Sequence, residues 1–116
     1  MPNVVRLKKS WEFDLIFRTG VRDNGELVRL LYLKDEEPGI KFGCAVGKRL
    51  GKAHVRNRGK RILRAAFREF SKKLTPGLKI VLSLKEKGID AKTQDIEKEL
   101  AKLFKRKNLL CFPVSQ

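Results

Sequence analysis

The chain has 116 residues, 41% of them hydrophobic, and sets 28 Lys and Arg against 13 Asp and Glu for a formal charge of +15. That length suits one domain over residues 1–116 with a modest core, and the apolar fraction argues against a wholly disordered basic tail. No run of ~18 apolar residues occurs, so no membrane-spanning helix is expected, and the mixed-charge N-terminus (Arg6, Lys8, Lys9, Glu12, Asp14) lacks the apolar stretch of a secretory signal.

In chain order, Ser10 is placed as the N-cap of a short helix from Trp11 to Thr19, with Gly20 as its C-terminal stop. Glu26 to Lys34, rich in Leu and Val, reads as a strand that ends in the acidic turn Asp35-Glu36-Glu37-Pro38-Gly39. A second strand follows, in which Ile40, Phe42, Cys44 and Val46 alternate with Lys41, Gly43, Ala45 and Gly47. One turn between two strands suggests an antiparallel pair. The small second face lets either a packed helix or a ligand approach the backbone closely. A long helix is expected from about Ala53 to Lys73, ended by Thr75-Pro76-Gly77. Leu78, Ile80, Leu82 and Leu84 alternate as a third strand. Asp90 to Lys107 reads as an amphipathic helix with Ile96, Leu100, Leu103 and Phe104 on one face. The apolar tail Leu109-Leu110-Cys111-Phe112-Pro113 is expected to fold back onto the body. The resulting order, α-β-β-α-β-α, describes an α+β domain built on a small, mostly antiparallel sheet.

Cys44 and Cys111 stand apart, without a CxxC, and His54 is the single histidine. This composition supplies no zinc-ligand set and no disulfide framework, so no metal site on the protein is expected and a reduced, cytoplasmic setting is. The charge is the informative feature. Between Lys48 and Lys73 lie eleven basic residues and one acid, Glu69, whereas the rest of the chain holds 17 basic and 12 acidic residues. A solvated surface interleaves the two signs. A run this one-sided implies a polyanionic partner.

At about 100° per residue, Val55, Gly59, Ile62, Leu63, Ala66, Phe67, Phe70 and Leu74 fall in an apolar stripe roughly 140° wide. His54, Asn57, Arg58, Lys60, Arg61, Arg64, Arg68 and Lys72 fill most of the opposite side. Arginine predominates there, and its planar fork donates two parallel hydrogen bonds to a phosphate. Arg56 breaks the division and sits near the apolar edge, toward the sheet. Such a ridge should bind nucleic acid with an affinity that falls steeply with salt, by a slope of ~0.7–0.9 per phosphate contact. No zinc finger, RRM aromatic signature, KH loop or zipper heptad accompanies it.

The stretch Lys48-Arg49-Leu50-Gly51-Lys52-Ala53-His54-Val55-Arg56-Asn57-Arg58-Gly59-Lys60-Arg61-Ile62-Leu63-Arg64 resembles the signature of the bacterial ribonuclease P protein family. The Arg-Asn-Arg triplet, followed by Lys-Arg and then Arg, is its most specific part. Phe13-Asp14-Leu15-Ile16-Phe17 with Gly20 looks like the family's first helix, and Tyr32 and Phe42-Gly43 fit its strands. Three positions depart from the usual pattern: Gly59 replaces a large aliphatic residue, Ala65 an acid and Gly47 a serine.

The resemblance implies a twisted sheet with a left-handed β-α-β crossover, which the general rule of right-handed crossovers would not have suggested. It implies a protein subunit of a ribonucleoprotein that removes the 5′ leader of precursor tRNA, with catalysis by the RNA and Mg²⁺ bound mainly by that RNA. No catalytic residue is then assigned to the protein, and no small-molecule substrate or membrane is expected. Lys48, Arg49, Lys52, Arg58, Lys60, Arg61, Arg64 and Arg68 would grip the catalytic RNA. His54, on the same ridge, suits a hydrogen bond to RNA better than general-base chemistry. A second surface would hold the single-stranded leader, with Phe13, Phe17, Tyr32, Arg56 and Asn57 as candidates. On the first helix Trp11 and Leu15 lie on one side and Phe13, Ile16 and Phe17 on another. The spare side either stacks on unpaired bases or is buried by sheet and tail, and Tyr32 is either a leader contact or a wall of the core. The competing reading is a structural RNA-binding protein of similar fold, such as a ribosomal protein or assembly factor.

Overall fold

A computed structural model describes residues 4–110 of the chain. Five strands and three helices follow in the order β1 (Val4–Arg6), α1 (Ser10–Thr19), β2 (Val21–Asn24), β3 (Val28–Lys34), β4 (Ile40–Ala45), α2 (Ala53–Arg68), β5 (Leu78–Leu84) and α3 (Thr93–Arg106). Every element expected from periodicity is present. Two short edge strands, β1 and β2, are additional, because three or four residues are too few to show an alternation. Ser10 is the first helical residue of α1 and not its cap; Lys9 takes the cap position without a side-chain hydrogen bond. Helix α2 ends at Arg68, short of Lys73. From there the chain tightens into turns, with Phe70 N–H bonded to Phe67 O at 2.8 Å and Lys73 N–H to Phe70 O at 2.9 Å. The tighter pitch carries both Phe70 and Leu74 into the core. Helix α3 starts at Thr93, after a single 3₁₀ turn over Glu86–Gly88.

The sheet runs β1-β4-β5-β3-β2. β1 pairs in parallel with β4 and β4 with β5, while β5–β3 and β3–β2 are antiparallel. The sheet is therefore mixed rather than mostly antiparallel. The expected hairpin between β3 and β4 does not form, because β5 lies between them: Leu78 pairs with Lys34 on one side and with Ile40 on the other. The turn Asp35 to Gly39 is long enough to step across the ~10 Å of two strand spacings. β5 takes the centre because Leu78, Ile80, Val81, Leu82 and Leu84 bury both of its faces.

The β4–α2–β5 crossover is left-handed. Phe42 accepts a hydrogen bond on its carbonyl from Leu7 N–H at 2.8 Å, so its polar edge faces β1. Its ring lies on the α2 side, stacked on Phe67 with centroids 3.8 Å apart. In a strand of L-residues running upward, a residue whose side chain points at the viewer directs its N–H and C=O to the right. Seen from α2, β1 is then to the right of β4 and β5 to its left. A right-handed crossover requires the reverse.

Helices α2 and α3 cover one face. There Val28, Leu30, Tyr32, Phe42, Ile80 and Leu82 meet Leu63, Phe67, Leu100 and Phe104. Helix α1 covers the other face, where Ile16 joins Leu7, Leu31 and Val81, with Phe13, Phe17 and Ala45 packed against them. Leu109 is buried, its carbonyl bonded by Thr75 N–H at 2.8 Å, and Leu110 bridges to Leu74. The rest of the expected fold-back, Cys111 to Pro113, lies outside the described residues.

Candidate nucleic-acid interface

The basic segment enters α2 through Gly51, whose φ of 152° and close approach to Val55 both favour glycine there. Lys52 occupies the N-cap position without a side-chain bond, and the first turn holds no acid. Helices ordinarily place carboxylates at this positive end of the dipole, each worth ~0.3–1 kcal/mol. Here Lys52, His54, Arg56 and Arg58 crowd it instead. The arrangement works against the isolated fold and favours a bound anion.

Lys48, Arg49, Lys52, His54, Asn57, Arg58, Arg61 and Arg68 are exposed, and Arg56, Lys60 and Arg64 are half-buried. Gly59, Leu63, Ala66 and Phe67 form the buried stripe. Among the described residues the ion pairs are Lys41 with Asp35 and Glu37, and Arg106 with Asp23. None involves the ridge. Among the described residues, Arg58 is the ridge residue whose side chain has an internal partner, donating from Nη1 to the Ile89 carbonyl at 3.0 Å. The Arg56 Nε is buried without a hydrogen-bond partner among the described residues.

Beside the ridge, a groove of about 440 Å³ opens where β4 runs on past the end of β1. Leu7, Phe13, Phe42, Gly43 and Phe67 contribute its apolar lining, and Arg6, Lys60, Arg64 and Arg68 contribute four cations and no carboxylate. Phe13 packs the edge of its ring against Gly43, where an added Cβ would come within 2.5 Å of Cζ. The small second face of β4 is thus used by a packed helix. Cys44 also lines the groove, and burial pushes its thiol up to about 11 against the opposing pull of Arg64, Lys60 and Arg6. At neutral pH it is a neutral thiol and not a nucleophile.

The structure brings Phe13 together with Lys60, Arg64 and Arg68 around one groove. It does not bring Tyr32 there. That ring is 9% exposed and belongs to the core under α2 and α3, on the sheet face opposite Phe13 and Phe17. Phe17 is half-buried against the core under α1. Asn57 is exposed at the start of α2. Arg6 was not a sequence candidate; it belongs to β1, whose three residues carry no pattern. At Gly59, an added Cβ would come within 2.8 Å of Leu84 Cδ2, so Leu84 fills the space of the missing side chain.

The sequence model of the family described as Ribonuclease P matches residues 1–108. A ribonuclease P protein component from Bacillus cereus (strain B4264) is 31% identical over 105 residues, covering 90% of this chain and 91% of its own. The ribonuclease P protein of Thermotoga maritima superposes with a TM-score of 0.78 at 28% identity, covering 87% of this chain and 96% of that one. That of Staphylococcus aureus, at 23% identity, shares the fold with a TM-score of 0.80 over 92% of this chain and 98% of its own.

Proposed function

The chain belongs to the ribonuclease P protein family and is the protein subunit of an endoribonuclease ribonucleoprotein whose catalyst is RNA, and from that premise we propose how its two surfaces divide the work. The exposed side of α2, with Lys48, Arg49, Lys52, His54, Arg58, Lys60, Arg61, Arg64 and Arg68, seats the catalytic RNA through its phosphates. The α1 side and the adjoining groove, with Phe13 and Phe17, guide the 5′ leader of precursor tRNA, together with Arg56 and Asn57 at the start of α2. Tyr32, a wall of the core under α2 and α3 on the opposite sheet face, takes no part in leader contact on this reading. The observation that carries this reading is the arginine ridge itself, cationic along its length and unpaired with protein carboxylates among the described residues.

The protein's part is binding and placement. Each arginine offers a phosphate two parallel N–H donors, and the half-buried Lys60 and Arg64 place their charge beside an apolar groove, where screening is weaker than in open solvent. The groove does not fit a cation, because its charged groups are all positive. Magnesium on this reading sits on the RNA, where it supplies charge stabilisation at the scissile phosphate. No helix among the described residues is long and apolar enough to cross a membrane, and the reading places the protein in the cytoplasm with its RNA. The alternative of a ribosomal protein or assembly factor is not favoured by relatives that carry the ribonuclease P description along nine-tenths of the chain.

Reconstitution tests the proposal. Mixed with a bacterial ribonuclease P RNA at low magnesium, the protein should stimulate removal of the leader from precursor tRNA, and without that RNA it should cleave nothing. Tight binding to the RNA without any stimulation would favour a purely structural role.

A further inference from the structure

Trp11 is the single tryptophan of the chain and is 58% exposed. Ile16, buried, and Phe13 and Phe17, half-buried, mark the inward side of α1. At 100° per residue Trp11 and Arg18 fall on the opposite side, pointing away from the sheet, with the half-buried Leu15 next to them. The exposed Lys8 and Lys9 immediately precede the helix, and Asp14 and the half-buried Glu12 are the carboxylates that flank that outward side. Trp11 does not line the groove, but the same first turn of α1 contributes Phe13 to it.

Resting on the reading of the α1 side as a leader surface, we propose that Trp11 is a stacking platform for an unpaired base of the 5′ leader beyond the groove, with Lys8, Lys9 and Arg18 taking the flanking phosphates. An indole that is 58% exposed keeps a large apolar face available to a partner. The surroundings say what kind. A protein partner needs a contiguous apolar patch at the centre of its contact, whereas Trp11 is one ring in a charged neighbourhood, and the other exposed large apolar residues among those described, Val4, Val5 and Val21, belong to strands at the two sheet edges. A single flat ring with cations around it matches a nucleobase and its phosphates, and every base presents a π-face, so the contact would be tolerant of leader sequence. Proximity to the groove favours the leader over the catalytic RNA: Phe13, which lines the groove, and Trp11 share the first turn of α1, so the turn that holds Trp11 is the one a strand following the groove past Phe13 would meet.

The lone tryptophan makes its own emission the reporter. The holoenzyme, assembled from the full chain and a bacterial ribonuclease P RNA, is titrated with a long-leader precursor tRNA made uncleavable at the scissile phosphate, and separately with mature tRNA. Indole emission should fall with the precursor and not with mature tRNA. Trp11→Ala should reduce the affinity advantage of the long leader roughly fivefold or more, the low end for base–aromatic stacking, and Trp11→Tyr should restore most of it. A fall already complete on adding the catalytic RNA, or equal falls with both tRNAs, would assign Trp11 elsewhere and overturn the proposal. So would an unchanged long-leader advantage in Trp11→Ala. Assembly and cleavage with an unresponsive indole would sink this inference alone, whereas failure to assemble would sink the functional reading beneath it.

Discussion

Glu99 of α3 offers the sharpest test of how this fold is held. Its Oε1 accepts from Glu26 N–H at 2.8 Å and Leu27 N–H at 3.1 Å, and its Oε2 from Leu27 N–H at 2.9 Å and Val28 N–H at 2.7 Å. One carboxylate thereby closes three successive backbone donors at the turn between β2 and β3, across more than 70 residues of sequence. Gly25 makes room for it, since an added Cβ would lie 2.8 Å from Glu99 Cγ and nearer still to its carboxyl. Lys85 Nζ holds the same turn from another side, donating to Gly25 O at 2.8 Å. A hydrogen bond to a charged group is worth ~1.5–3 kcal/mol net, and an orphaned buried donor costs ~1–3. The site is only half-buried, so water recovers part of the loss when the carboxylate is removed. Glu99→Ala should therefore cost about 2–4 kcal/mol rather than the full sum for three donors. Glu99→Gln should fall between, because one oxygen remains while its amide turns donors toward donors. Urea unfolding should show a lower midpoint at an unchanged slope, and hydrogen exchange at Leu27 and Val28 should accelerate. A Glu99→Ala protein within about 0.5 kcal/mol of the parent, with those amides still protected, would refute the reasoning. RNA binding should keep its salt slope, as Glu99 is not among the ridge or groove residues.

Arg61→Ala with Arg64→Ala should weaken binding to the catalytic RNA and flatten the plot of log K against log salt by about 1.4–1.8; an unchanged slope would mean that neither side chain meets a phosphate. Gly43→Ala should displace the Phe13 ring, costing ~1–3 kcal/mol by overpacking and lowering preference for long leaders, read by thermal unfolding and by leader-dependent binding. Phe17→Ala should cost less than the ~3–5 kcal/mol of a fully buried ring, because Phe17 is half-buried against the core beneath α1, and loss of leader preference beyond that of an equally destabilised core variant would show that it also faces RNA. The Arg106 guanidinium, bonded to both Asp23 oxygens at 2.7 and 2.9 Å, holds the Asp23 carboxyl below its ordinary 3.8. A depressed carboxylate contributes stability that is complete above its unfolded pKa and lost as pH falls through the folded one. Stability should thus decline in acid below the ordinary carboxylate range, and Asp23→Asn should remove that part of the decline; identical acid profiles for both proteins would count against the pairing.

Much of the candidate site could be read from residue order because its physics is local. The apolar stripe of α2 and the cations opposite it need only the 3.6-residue period, and Gly59, Leu63, Ala66 and Phe67 are buried where that period puts them. The same holds for Ile96, Leu100, Leu103 and Phe104 on α3 and for the alternating residues of β5. Alternation assigns residues to faces but names no neighbouring strand, so β5 between β3 and β4 is a matter of long-range pairing, settled by which strand has two apolar faces to bury. Within β3, Leu30, Leu31, Tyr32 and Leu33 are all apolar and show no alternation; pairing with Val21 and Ile80 and the packing of α2 and α3 set Tyr32 in the core. Charge density, residue period and the Arg-Asn-Arg motif were therefore determined by sequence alone. The groove at the open end of β4 and the Glu99 clamp were decided only by tertiary structure, and the crossover hand, which the family resemblance implied, was likewise invisible to residue period, because each depends on contacts between residues far apart in the chain, where local periodicity carries no information.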